Sequence, residues 1–187
     1  MLARRESLKK AAEVYDIPAE LLACVAWIEV AGDPMWADPA AYGAREFVPD
    51  MTWDIMHFLF PKIYDKLHKF YWDASETSFG YLSMQLGVAA NMIGLDSEDL
   101  NLFTEARLSQ VLSDPEMSIM FAARHLAQLK NIDYPDVPAS ELTLDEMKVI
   151  ANRYNMGSSL PLEEIGYDYG IRFWERLADM DKLLNPD

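Results

Sequence analysis

Cysteine is almost absent from this chain. Cys24 stands alone, so an internal disulfide is excluded, and its place in an apolar run marks it as a packing residue rather than a reactive thiol. Basic residues are also few, with 16 Lys and Arg against 31 Asp and Glu and a formal net charge of −15. That balance argues against nucleic acid, or an anionic membrane, held by bulk electrostatics. No stretch reads as a membrane span. The run from Thr77 to Leu95 is uncharged over 19 residues, but three Gly with Ser78, Ser83, Gln85 and Asn91 make it too polar. The opening MLARRESLKKAAEVYD lacks the apolar centre of a secretory signal, so the expectation is a cytoplasmic chain or one exported by another route. Histidine is sparse as well. His57 and His68 could share a helix face but have no third ligand nearby, so no metal site is expected. Strand-like alternation of useful length and internal repeats are both missing.

What the chain does have is apolar surface to bury: 51% hydrophobic and 12% aromatic residues, with Trp27, Trp36, Trp53, Trp72 and Trp174 spread from end to end. This pattern predicts one domain over residues 1–187 built on one continuous core. Its class is all-α. Glu6 to Asp16 reads as a surface helix with Leu8, Ala11, Ala12 and Tyr15 inward. Asp33 to Asp50, rich in Pro, reads as a loop around the core, and Thr52 caps a helix reaching about Trp72 with a kink at Pro61. Ser75 to Gly80 is a polar turn into a helix over Tyr81 to Ile93, ended by Gly94. Asp99 to Leu112 adds one short helix or two, and Asp114-Pro115-Glu116 starts an amphipathic helix to about Lys130 in which His125 reads as a hydrogen-bonded packing residue. Asn131 to Glu141 reads as an exposed loop. Thr143 with Glu146 caps a helix that stops at Gly157, and Tyr167 to Leu184 is the last helix, with Ile171, Trp174, Leu177 and Met180 inward.

The organising stretch is Ile17 to Gly32, IPAELLACVAWIEVAG. Pro18 suits a first turn, Gly32 a stop, and every residue from Leu21 to Ile28 is apolar, which predicts a helix through the interior. Glu29 is out of place there. It shares a stripe with Leu22 and Val25 near the negative end of the helix dipole, and both influences disfavour its charged form. A carboxylic acid so placed is suited to hold a proton near neutral pH and deliver it.

Four further stretches stand in a familiar order: Trp27-Ile28-Glu29; Ser78-Phe79-Gly80 with Met84-Gln85; Leu112-Ser113-Asp114-Pro115-Glu116 before an amphipathic helix; and Arg153-Tyr154-Asn155-Met156-Gly157. Together they resemble the lysozyme-like transglycosylase family, which includes soluble lytic transglycosylases and goose-type lysozymes. The resemblance implies a lysozyme-like helical domain with a glycan-binding groove, Glu29 as the catalytic acid, and Ser78, Gly80, Tyr154 and Asn155 as glycan contacts. It further implies cleavage of the β-1,4 bond between N-acetylmuramic acid and N-acetylglucosamine in peptidoglycan, as a lytic transglycosylase or a muramidase, with no cofactor. Two positions depart from the family pattern. Val30 follows the catalytic Glu where Ser is common, and Ser83 stands where a sugar-binding Gln is usual, with Gln85 two residues on. A hydrolase would add a second carboxylate, for which Asp73, Glu76 and Glu46 are the candidates.

Two other classes of function remain open on the sequence. One is a catalytically silent glycan-binding or structural module on the same fold, for instance in a phage particle or secretion system, which Val30 and Ser83 favour. The other is an acidic helical interaction protein, which the net charge favours. With no visible signal peptide, a wall-directed enzyme is expected to reach the cell wall or periplasm by phage or secretion-system delivery.

Overall fold

The helix expected over residues 17–32 is present, beginning two residues later at Ala19. The structure is a computed structural model that describes residues 4–32, 78–159, 161–165 and 168–186. In it, α2 runs Ala19–Gly32, and Pro18 lies just before the first turn, its carbonyl accepting from the Leu22 N–H at 3.3 Å. Leu21 through Ala26 are wholly buried and Ile28 is nearly so. Cys24 lies among them; burial first, then the nearby charge of Glu20, pushes its thiol up to about 12, so it stays protonated and inert at neutral pH.

By its contacts the chain divides into two compact units, Met1–Gly32 with Glu116–Asp187, and Asp33–Pro115. The described residues are predominantly helical. In the first unit, α1 (Arg5–Tyr15) buries Leu8, Ala11 and Ala12 and ends at Asp16, whose left-handed backbone (φ 48°) turns the chain into α2. The last helices complete this unit: α5 (Pro115–Asp133), α6 (Leu144–Met156) and α7 (Asp168–Leu184), numbered after the two helices of the second unit. α2 packs on α1, α6 and α7. Helix α6 starts with the capping box read from sequence: the Glu146 N–H donates to the Thr143 hydroxyl, and the Thr143 N–H donates back to the Glu146 carboxylate at 2.7 Å. It stops at Gly157, whose φ of 90° favours glycine. Helix α5 runs on to Asp133, past Lys130, so the start of the expected loop is helical. Met180 and Leu184 of α7 are buried and Leu177 is half-buried; the side chains of Ile171 and Trp174 lie outside the described set.

The second unit corrects the reading of residues 81–93 as one helix. Ser78–Phe79 (β1) and Met84–Gln85 (β2) form a small antiparallel hairpin with Ser78 opposite Gln85 and Phe79 opposite Met84, and the helix α3 covers only Leu86–Met92. Two-residue strands are too short to show a period of two, which is why the alternation was invisible. Leu82 is buried as expected, but in the hairpin turn. Helix α4 (Leu102–Ser113) follows, its first turn capped by Asn101, whose side chain accepts from the Thr104 N–H at 3.1 Å. Gly80 is required at the turn on two counts. Its φ is 82°, and a Cβ there would run into the backbone of Leu112, whose carbonyl carbon would lie 2.6 Å away. Gly80→Ala is expected to destabilise the protein by about 3 kcal/mol, combining left-handed strain with overpacking. Urea unfolding followed by tryptophan fluorescence measures it; a loss under about 1 kcal/mol contradicts the close approach.

The expected loop over 33–50, the helix over 52–72 with His57 and His68, and the acids Glu46, Asp73 and Glu76 lie outside the described residues. No helix among the described residues is long and apolar enough to cross a membrane.

Candidate active site

Glu29 sits in the last turn of α2, half-buried, after the solid apolar stretch that fixes the helix in the core. Trp27, two residues before it, is held from outside. The Arg176 guanidinium of α7 lies 4.2 Å from the centre of the indole ring and also reaches Asp179 at 3.4 Å.

The second wall comes from the end of α6. Arg153 is buried, its side chain 3% exposed, and it grips Asp133 of α5, 6% exposed, with two parallel hydrogen bonds: Nε to Oδ2, and Nη2 to Oδ1 at 2.7 Å. Its Nη1 donates to the Ser158 carbonyl at 3.2 Å, so the same guanidinium holds the chain just beyond Gly157. Buried Asn152 adds a bond from its amide to the Lys148 carbonyl at 2.8 Å. With its neighbours pinned in this way, Tyr154 has a defined place. Its ring is half-buried and meets the imidazole of His125 on α5 at a centroid distance of 5.5 Å, tilted by 58°. Burial of the phenol, and after it the negative charge of Glu29, raise the Tyr154 pKa well above 10. The phenol is therefore a neutral hydroxyl within the electrostatic reach of Glu29. Asn155 follows on the exposed side of α6.

Of the expected site residues, Glu29 and Tyr154 lie in the first unit within electrostatic reach of each other, with Asn155 next in sequence. Ser78, Gly80 and Gln85 come together in the second. Ser78 and Gln85 are direct cross-strand partners, so their side chains leave the hairpin on one face while Phe79 and Met84 are buried on the other. Ser83 has a different role: it takes a left-handed turn position with φ 45°, one residue before β2.

His125 meets its expectation in part, since it shares a hydrogen bond with Gln128. It does pack, against Tyr154, but its Nδ1 is buried without a hydrogen-bond partner. Burial drops its pKa to about 4 against the opposing effect of a hydrogen bond with Gln128. The unfolded chain takes up this proton near pH 6.5 and the folded one only near 4, so the neutral imidazole supports the fold fully above 6.5 and progressively less as pH falls towards 4. Relative to His125→Phe, which keeps the aromatic contact without a titrating group, the wild type is expected to lose about 1.5 kcal/mol more stability between pH 6.5 and 5. Chemical denaturation of both proteins across that range measures the difference, and parallel curves contradict it.

Sequence reasoning passed over Asp133, which lies in what reads as the edge of a loop and far along the chain from Arg153; only the third dimension pairs them. Among the described residues, no group of three or more His, Cys, Asp or Glu is placed to hold a metal ion. No protein-family model matches the chain, and comparison with curated proteins and with solved structures likewise returns no match.

Proposed function

We propose that this protein cleaves peptidoglycan glycan strands at the β-1,4 bond between N-acetylmuramic acid and N-acetylglucosamine, with Glu29 as general acid and then base. The observation that carries the reading is that Glu29 and Tyr154, from two motifs far apart in sequence, lie within electrostatic reach of each other, one a carboxyl at the end of a core helix and the other a phenol kept neutral by burial first and by the charge of Glu29 second. Within the second unit, the cross-strand pair of Ser78 and Gln85 presents a hydroxyl and an amide on one face, groups suited to sugar hydrogen bonds.

In this mechanism the protonated Glu29 gives its proton to the glycosidic oxygen as the bond to the muramic C1 breaks, and an oxocarbenium-like centre develops. The carboxylate left behind then removes a proton from whichever oxygen attacks C1. If that oxygen is the muramic 6-hydroxyl, a 1,6-anhydro ring closes and the enzyme is a lytic transglycosylase. If it is water, the product is a reducing end and the enzyme is a muramidase. The neutral Tyr154 hydroxyl can donate to the Glu29 carboxylate or to the sugar without adding charge. Gln85, not Ser83, takes the role of the sugar-binding amide, because Ser83 is committed to the turn.

This reading expects soluble glycan to be released from dye-labelled insoluble sacculi. Gln85→Ala is expected to raise KM about tenfold with a smaller effect on kcat, the mark of a lost ground-state contact. An unchanged KM removes Gln85 from the site. No release above a protein-free control, on several wall types, removes the enzyme reading altogether. A wall substrate also requires that the protein reach the cell wall or periplasm, and delivery by a phage particle or a secretion machine is the route proposed.

A further inference from the structure

A second site lies in the first unit at the other end of α2, about 13 Å along the helix from Glu20 to Glu29 at 1.5 Å per residue. There a groove of about 940 Å³ opens where the start of α2 meets the short turn Ala139–Glu141, the first half of α6 and α7. Its floor is apolar: Ile17 and Leu142 are 4% and 9% exposed, and Met147 and Leu177 are half-buried beside them.

Its rim is entirely acidic in its charged groups. Asp16, Glu175 and Asp181 are exposed and Glu20 is half-buried, and no Lys or Arg lines the groove among the described residues. None of the four carboxylates forms an ion pair among the described residues; Asp181 only accepts from the Asn185 amide at 3.0 Å. Like charges gathered around an open apolar floor repel one another and add nothing to this fold. An apolar centre inside a charged rim is instead the anatomy of a protein-docking surface.

We propose that this groove docks a basic amphipathic helix of a partner protein, whose apolar anchors cover Ile17, Leu142, Met147 and Leu177 while flanking Lys or Arg residues meet the four carboxylates. Charge complementarity selects the occupant. A nucleic acid or an acidic peptide is repelled, and a small organic cation satisfies the rim but leaves the floor wet. A helix supplies both halves at once, with apolar residues at i, i+3 and i+4 and cations beside them. The inference is independent of glycan cleavage, because it uses neither Glu29 nor Tyr154.

The probe is a short fluorescein-labelled peptide carrying Leu on one helical face and Lys on the flanks, titrated into the full chain by fluorescence anisotropy. Binding is expected to weaken about tenfold in Glu175→Gln/Asp181→Asn, which removes rim charge, and in Ala178→Trp, which fills the groove from an exposed position. It is expected to stay within twofold in Glu163→Gln/Glu164→Gln, an exposed acidic pair that does not line the groove. The Met147 methyl NMR signal of the wild type should shift on binding, which places the peptide on the floor. Equal weakening by the Glu163/Glu164 pair reduces the effect to general acidity and overturns the proposal. So does undiminished binding of a peptide with Ser in place of Leu, which would leave the floor unused. A concentration-dependent dimer that disappears in Ala178→Trp assigns the groove to a second copy of this chain and overturns it as well.

Discussion

Arg153→Met is expected to cost about 4 kcal/mol of unfolding free energy, because it strands the Asp133 carboxylate in a nearly closed pocket with no counter-charge. The loss exceeds that of an ordinary surface ion pair for a geometric reason. Both side chains are shielded from water, the pairing is two-pronged, and the third arm of the guanidinium holds the Ser158 carbonyl. Asp133→Leu should cost a similar amount by stranding the guanidinium. The double variant Arg153→Met/Asp133→Leu should recover most of the loss, since a buried pair replaced by apolar groups of similar bulk is often nearly neutral. Urea denaturation of the four proteins closes the cycle. A single-variant loss below about 1 kcal/mol, or strict additivity in the double variant, contradicts the buried pair. Under the proposed function, loosening α6 from α5 also frees Tyr154, so Arg153→Met should lose glycan release at temperatures where it is still folded.

Glu29→Gln is expected to lower the rate of glycan release by about 10³-fold, the range attributed to a positioned general acid and base. The amide has the shape of the carboxylic acid but cannot give up a proton to the glycosidic oxygen, nor can it accept one from the attacking hydroxyl. Stability should change by less than about 1 kcal/mol, because Glu29 is half-buried and its replacement is isosteric. The separation of the two effects is the informative part. A rate loss with unchanged unfolding assigns Glu29 to the chemistry, whereas matched losses of rate and stability assign it to the fold. Binding of the variant to sacculi should persist, since the proposed contacts at Ser78 and Gln85 are untouched.

Much of this architecture is legible in the sequence wherever a local rule acts alone. The unbroken apolar run of α2 forces burial whatever surrounds it, and Thr143 with Glu146 specifies the start of α6 by two reciprocal hydrogen bonds. Gly157 and Gly94, both at positive φ, stand where the expected helices stop. Reading fails where the determining partner is distant. The hairpin of residues 78–85 leaves no alternation to detect, and its Gly80 is explained by the backbone of Leu112 on another element. Arg153 is visible as part of a motif, but its partner Asp133 is not, because an ion pair between two helices has no sequence period. His125 looks like any polar residue on an amphipathic helix. Only the packed structure shows that its Nδ1 is closed off and its ring set against Tyr154. For the proposed site, Glu29 stands out as a carboxyl in an apolar run, whereas Tyr154 is singled out only by the family resemblance, and folding brings it within electrostatic reach of Glu29.

The most direct test of the central claim is mass analysis of the soluble fragments formed when purified peptidoglycan is incubated with the wild-type protein and, in parallel, with Glu29→Gln. The account predicts disaccharide-peptide fragments from the wild type and almost none from the variant, with a 1,6-anhydro-muramic end identifying a transglycosylase and a reducing end a muramidase. Fragments released equally by both proteins, or by neither across several wall types, would contradict Glu29 as the acid that breaks the glycan strand.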